Sequence, residues 1–106
     1  MFEETIEQIR YCIRTEGIKV SQHAEKEMAD DNVSTPQLLA ALLTEPVEVI
    51  EDYPEDQRGH SHLLLCWLNN SEPLHVCCAI RGANAIIITV YRPDPERWLA
   101  DWRTRI

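Results

Sequence analysis

Histidines, hydroxyls and arginines are the side chains that move protons and hold phosphates near neutral pH, and this chain groups them in a few places. Val20-Ser21-Gln22-His23-Ala24 puts His23 in the opening turn of an expected helix, with Ser21 as its cap. A ring there can serve as a base or a hydrogen-bond donor, or be a capping or surface residue. His75 opens an expected strand that ends at Arg81. Across the Gly82-Ala83-Asn84 turn, the apolar run Ile86-Ile87-Ile88-Thr89-Val90 leads to Tyr91 and Arg92. Antiparallel pairing across that turn would set Tyr91 beside His75. A His–Tyr–Arg cluster on a sheet face can bind a phosphate and move a proton. A strand pair with ordinary polar ends is the alternative.

His60 and His62 flank Ser61 at the entry to another expected strand. An H-x-H pair in a strand shares a face and can hold a metal, but two ligands do not make a site. They read as solvent-facing residues beside an acidic loop, and no metal or cofactor is expected. Cys12, Cys66, Cys77 and Cys78 form no C-x-x-C pair and read as buried, reduced thiols. No phosphate-binding glycine loop, nucleophile elbow or zinc-finger spacing is present.

The elements that must position these residues follow from periodicity. Ile6, Ile9, Cys12 and Ile13 make one face of a helix over residues 3–15, stopped at Gly17. Ile18-Lys19-Val20 is a short strand. Ser21 caps a helix over residues 22–31, with Ala24 and Met28 inward and Glu25, Glu27, Asp30 and Asp31 facing water. Asn32 breaks it. Ser34 and Pro36 then start a helix carrying Leu38, Leu39, Leu42 and Leu43, which Pro46 ends. After Pro46 the period becomes that of strands: residues 47–53, 62–68, 74–80 and 85–91, joined by polar or glycine-containing turns, including Asn69-Asn70-Ser71-Glu72. Tyr91 should share a face with Ile87 and Thr89. Residues 93–106 read as a final helix with Trp98, Leu99 and Trp102 on one face. The sum is one α+β domain over residues 1–106, with N-terminal helices on one face of a mainly antiparallel sheet of four to five strands, and a C-terminal helix.

Charge divides the chain. The net formal charge is −8, yet residues 1–56 carry 14 acids against four Lys or Arg, and residues 57–106 carry four acids against six Arg. An acidic helical face is expected, solvated or repelling nucleic acid and attracting a basic partner. No apolar run approaches the roughly 20 residues that cross a bilayer, so no membrane association is expected. The acidic N-terminus argues against a secretory signal, and a cytoplasmic location is expected.

Ser21-Gln22-His23-Ala24, Met28, Val33-Ser34, the leucines from Leu38 to Leu43, Tyr53-Pro54, Leu74-His75-Val76 and Thr89-Val90-Tyr91-Arg92-Pro93 resemble, in order and spacing, a small bacterial family of unknown function among the RelE-like toxins. The resemblance implies a RelE-like fold, and a toxin half of a toxin–antitoxin pair with an antitoxin protein encoded nearby. It further implies metal-independent cleavage of RNA, with ribosome-bound RNA as a candidate substrate. Carried over, His23 and His75 would be base and acid, Tyr91 would orient or donate, and Arg81 and Arg92 would hold phosphate. Arg58 would complete the basic groove. Where the family pattern has arginines, this chain has Glu27 and Asp31, with Asn32 in place of a glycine. Acids there would repel RNA. Two readings follow: a toxin-type endoribonuclease, in which His23 and His75 converge on a basic groove, and a catalytically inactive module that binds protein or a second copy of itself.

Overall fold

The computed structural model describes residues 1–69 and 71–106. It contains α1 (Glu3–Arg14), β1 (Ile18–Val20), α2 (Gln22–Asp30), α3 (Thr35–Leu43), β2 (Glu48–Tyr53), β3 (Ser61–Leu68), β4 (Glu72–Arg81) and β5 (Asn84–Tyr91). In the expected turn after β3, Asn70 lies outside the described residues. No described helix is long and apolar enough to cross a membrane.

The strands form one mixed sheet in the order β1-β5-β4-β3-β2. The β2–β5 meander is antiparallel throughout, as short turns require. β1 is the exception: it pairs parallel to β5, with Ile18 opposite Ala85 and Val20 opposite Ile87. That crossover carries α2 and α3 to one face. Ile9, Cys12, Ala24, Met28, Leu38 and Leu42 from the helices pack there against Leu64, Cys66, Leu74, Val76, Ile87 and Val90 from the sheet.

Local signals start the helices where expected. Ser21 accepts a hydrogen bond from the Ala24 N–H. Ser34 and Gln37 form a reciprocal capping box, with Pro36 in the first turn. Gly17 ends α1 for a second reason: a Cβ there would stand 2.5 Å from the Ala83 carbonyl oxygen. Only glycine lets the α1–β1 turn approach the β4–β5 turn this closely.

Two expectations need correction. The first concerns alternation in β5. Cys77 pairs with Thr89, but the neighbouring Cys78 pairs with Ile87, so β5 carries an extra residue at this point. A bulge of this kind resets which face each side chain takes. Ile87 and Val90 therefore join the helix-covered core, and Tyr91 lies on the opposite face, against the His75 ring.

The second concerns residues 93–106, which are turns and not a helix. The Asp94 side chain accepts the Glu96 N–H, and Asp101 accepts the N–H groups of Arg103 and Thr104. Such side-chain bonds compete with helical ones, and Pro93 and Pro95 restrict the residues before them. A single bridge between Trp98 and Arg105 closes the segment on itself. Trp98 and Trp102, four apart as on a helix, instead pack onto the second face of the sheet beside Leu63, Cys77, Ala79 and Ile88. Leu99, the third member of the expected stripe, remains exposed.

Candidate functional site

The β4–β5 register sets His75 directly opposite Tyr91. Its Nδ1 lies 3.1 Å from the Tyr91 hydroxyl, and its Nε2 lies 2.8 Å from the Trp102 carbonyl oxygen. A carbonyl only accepts, so Nε2 carries the hydrogen and Nδ1 accepts from the tyrosine. The ring stands edge-on to Trp98, with centroids 4.5 Å apart, and is completely buried. Burial lowers the histidine's pKa, opposed by its bond to the Trp102 carbonyl and by Glu51. Burial pushes the Tyr91 phenol up to about 12. The pair is therefore a neutral imidazole accepting a hydrogen bond from a neutral phenol.

Tyr91 opens onto a pocket of about 430 Å³, also lined by Glu27, Arg92, Asp94, Arg97, Trp98 and Arg105. Arg105 sits 4.5 Å above the centre of the Trp98 ring and pairs with Glu51 at 2.8 Å. Arg92 donates to the Asp31 carbonyl oxygen at 2.9 Å and pairs with Glu72 at 3.2 Å. Among the described residues Arg97 makes no ion pair, which leaves its guanidinium for a ligand.

His23, Arg58 and Arg81 lie elsewhere. They line a second pocket of about 370 Å³ with Ser21, Ile86 and Ile88. His23 is exposed and stands 3.2 Å from Glu27. Arg58 is clamped by Asp56 at 2.9 Å, and Arg81 donates to the Arg58 carbonyl. The six sequence candidates thus divide: His23, Arg58 and Arg81 in one pocket, Tyr91 and Arg92 in another, and His75 sealed beneath Tyr91. His23 and His75 do not converge.

Glu27 and Asp31 have a role the sequence reading missed. β1 covers the edge of β5 only at residues 85–87, so the next outward-facing N–H groups need other acceptors. Glu27 Oε1 accepts from the Val90 N–H at 3.0 Å, and Asp31 Oδ2 accepts from the Arg92 N–H at 2.9 Å. Side chains four apart on a helix match alternate residues on a strand laid alongside it. Ser21 completes the seam, donating its hydroxyl to the Ile88 carbonyl at 2.9 Å. These acids, expected to face water, close a sheet edge. The signal was the mismatch between a three-residue β1 and an eight-residue β5.

Of the H-x-H pair, His60 is exposed as expected, but His62 is not. His62 is buried, and burial, then the neighbouring His60, lowers its pKa against the pull of Asp52. All four cysteines are buried and unpaired, and burial pushes the Cys66 and Cys78 thiols up to about 12.

Helices on one face of a five-stranded mixed sheet, and a tyrosine–arginine pocket beneath a turn-built cover on the other, define the class as α+β. The family model described as "Domain of unknown function (DUF4258)" matches residues 20–92, and the chain belongs to that family. No curated protein and no solved structure matches it. The matched span runs from the end of β1 to Arg92. It includes Glu27, Tyr91 and Arg92, while Asp94, Arg97, Trp98 and Arg105 on the other side of the pocket follow it.

Proposed function

We propose that this chain is a RelE-like toxin-type endoribonuclease that cleaves RNA without a metal at the Tyr91 pocket. One observation carries the reading: a tyrosine hydroxyl, held by a buried histidine, opens onto a pocket lined by three arginines. Arg97, with no ion pair among the described residues, takes the phosphate, and Arg92 and Arg105 add field to it. Glu27, on the same pocket, accepts the proton of the ribose 2′-hydroxyl as that oxygen attacks phosphorus. The bond to the 5′-oxygen breaks as the Tyr91 hydroxyl turns its hydrogen from His75 Nδ1 to the departing oxygen and donates its proton there. His75 is a positioning residue: it touches no substrate and holds the phenol by its Nδ1. His23, paired with Glu27, orients the base. An antitoxin protein covering the pocket, and a ribosome supplying part of the RNA affinity, are the partners this reading calls for.

The test is induced expression in a bacterial host, wild type beside Tyr91→Phe and Arg97→Ala, following growth and total RNA. Arrest with RNA cleavage that both substitutions remove is the expected result. Arrest that survives Tyr91→Phe rejects the assignment of the proton donor.

A second reading has its own support. Four of the six arginines after residue 57 (Arg58, Arg92, Arg103 and Arg105) are already paired with carboxylates. RNA must therefore compete for most of the positive charge. A catalytically inactive module binding a basic protein, or a second copy of the chain, accounts for this. Unimpaired growth, intact RNA and a complex indifferent to Tyr91→Phe would establish it.

A further inference from the structure

The sheet register supplies the ligand that the H-x-H pair lacks in sequence. Asp52 on β2 lies directly opposite His62 on β3. His60, two residues earlier, points the same way, and the two imidazole rings stack with centroids 4.5 Å apart. Both rings aim Nε2 at one carboxylate oxygen: Asp52 Oδ1 is 2.5 Å from His60 and 3.1 Å from His62. The donor atoms of all three residues lie within 4.8 Å of one another. Phe2 stands edge-on to the His62 ring, with centroids 5.6 Å apart, and closes one side of the cluster.

We propose that Asp52, His60 and His62 bind one divalent transition-metal ion of the zinc type. The donor set decides the class. Two imidazoles and one carboxylate suit Zn²⁺ and its neighbours, whereas Mg²⁺ and Ca²⁺ prefer all-oxygen shells and Cu(I) prefers sulfur. Metal–donor bonds of about 2.0–2.2 Å in a tetrahedron require donor atoms about 3.3 Å apart. His62 and Asp52 are close to that separation already. His60 sits closer to Asp52 than that, at 2.5 Å, and its side chain, about half exposed, is free to adjust towards the tetrahedral separation. Three protein ligands leave a position for water or for an exogenous ligand. The ion would also link β2, at the edge of the sheet, to β3. This site lies on the helix-covered face, with Leu64 and Cys66, and is separate from the Tyr91 pocket on the other face.

The test uses the full chain, kept reduced. Zn²⁺ is titrated calorimetrically into the wild type, His60→Ala and Asp52→Asn, and Co²⁺ spectra are recorded for each. His60 is exposed, so its loss leaves the fold intact. Expected are one ion per chain, at least tenfold weaker binding in both variants, a zinc-dependent rise in melting temperature confined to the wild type, and Co²⁺ bands without thiolate charge transfer. No saturable binding, equal affinity in wild type and His60→Ala, or a thiolate band that places the ion on the cysteines would each overturn the proposal.

Discussion

Removing the two acids that close the β5 edge tests the central packing argument. Glu27→Ala leaves the Val90 N–H without its carboxylate acceptor, and Asp31→Ala does the same to Arg92. A hydrogen bond to a charged group contributes about 1.5–3 kcal/mol, and an orphaned buried donor costs about 1–3 kcal/mol. The Glu27 side chain keeps 24% of its exposure, so water reaches the vacated position and the lower part of the range applies. About 1–2 kcal/mol for each substitution is expected. The exposed His23–Glu27 contact adds little. The two acids cap different amides, so the double variant should lose about 2–4 kcal/mol, near the sum. In a domain of this size that corresponds to a fall in melting temperature of about 4 °C or more per kcal/mol. Urea denaturation gives the free energies, with Glu25→Ala as an exposed control expected within about 0.5 kcal/mol of wild type. Amide exchange supplies the local readout, since Val90 and Arg92 should lose protection while the β3–β4 amides keep theirs. If Glu27→Ala matches Glu25→Ala and the Val90 amide stays protected, the edge-capping role is wrong. Glu27→Gln then separates structure from chemistry: it keeps an acceptor for Val90, and so most of the stability, but removes the base proposed for RNA cleavage.

Tyr91→Phe should cost about 1–2 kcal/mol in urea denaturation by stranding the buried Nδ1 of His75, besides abolishing any RNA cleavage. His75 also predicts an acid-sensitive fold. Its folded pKa lies below its unfolded value of about 6.5, so the unfolded chain takes up the proton first. Stability is full above that value and is lost as pH falls through it towards the folded value. Melting curves between about pH 7.5 and 5 should therefore show a smaller loss in His75→Gln than in wild type, with the residual slope from His62, which shifts in the same direction. Gly17→Ala should cost about 1–3 kcal/mol by thermal melting, because its Cβ meets the Ala83 carbonyl and neither backbone can yield cheaply.

Local chemistry was legible in the sequence where one residue decides one conformation. Ser21 and Ser34 cap the helices they were expected to cap, and the Gly82-Ala83-Asn84 turn delivers His75 opposite Tyr91. What could not be read depends on residues far apart in the chain. The extra residue in β5 changes the face of Tyr91 without changing composition or periodicity enough to show. Asp52 becomes a neighbour of His60 and His62 only through the β2–β3 register. The Trp98–Trp102 spacing is genuinely helical, but two prolines and two aspartates outweigh it, and the apolar second face gives both rings somewhere else to go. Glu27 and Asp31 looked like surface charge because their partners are backbone amides, which no side-chain pattern reveals.

The parallel pairing of β1 with β5 has a kinetic consequence. The contacts that seat α2, such as the Ser21 hydroxyl on the Ile88 carbonyl, join residues 67 positions apart. The β3–β4 and β4–β5 hairpins can zip locally, but β1 has no neighbour until β5 exists, and α2 packs chiefly on that same strand. Loop-closure entropy must be met before those contacts return anything, so the N-terminal α1–β1–α2 unit joins the fold late. A chain interrupted before β5 would hold two amphipathic helices and a short strand with nowhere to dock, and it would present their apolar faces to chaperones and proteases instead of to the sheet.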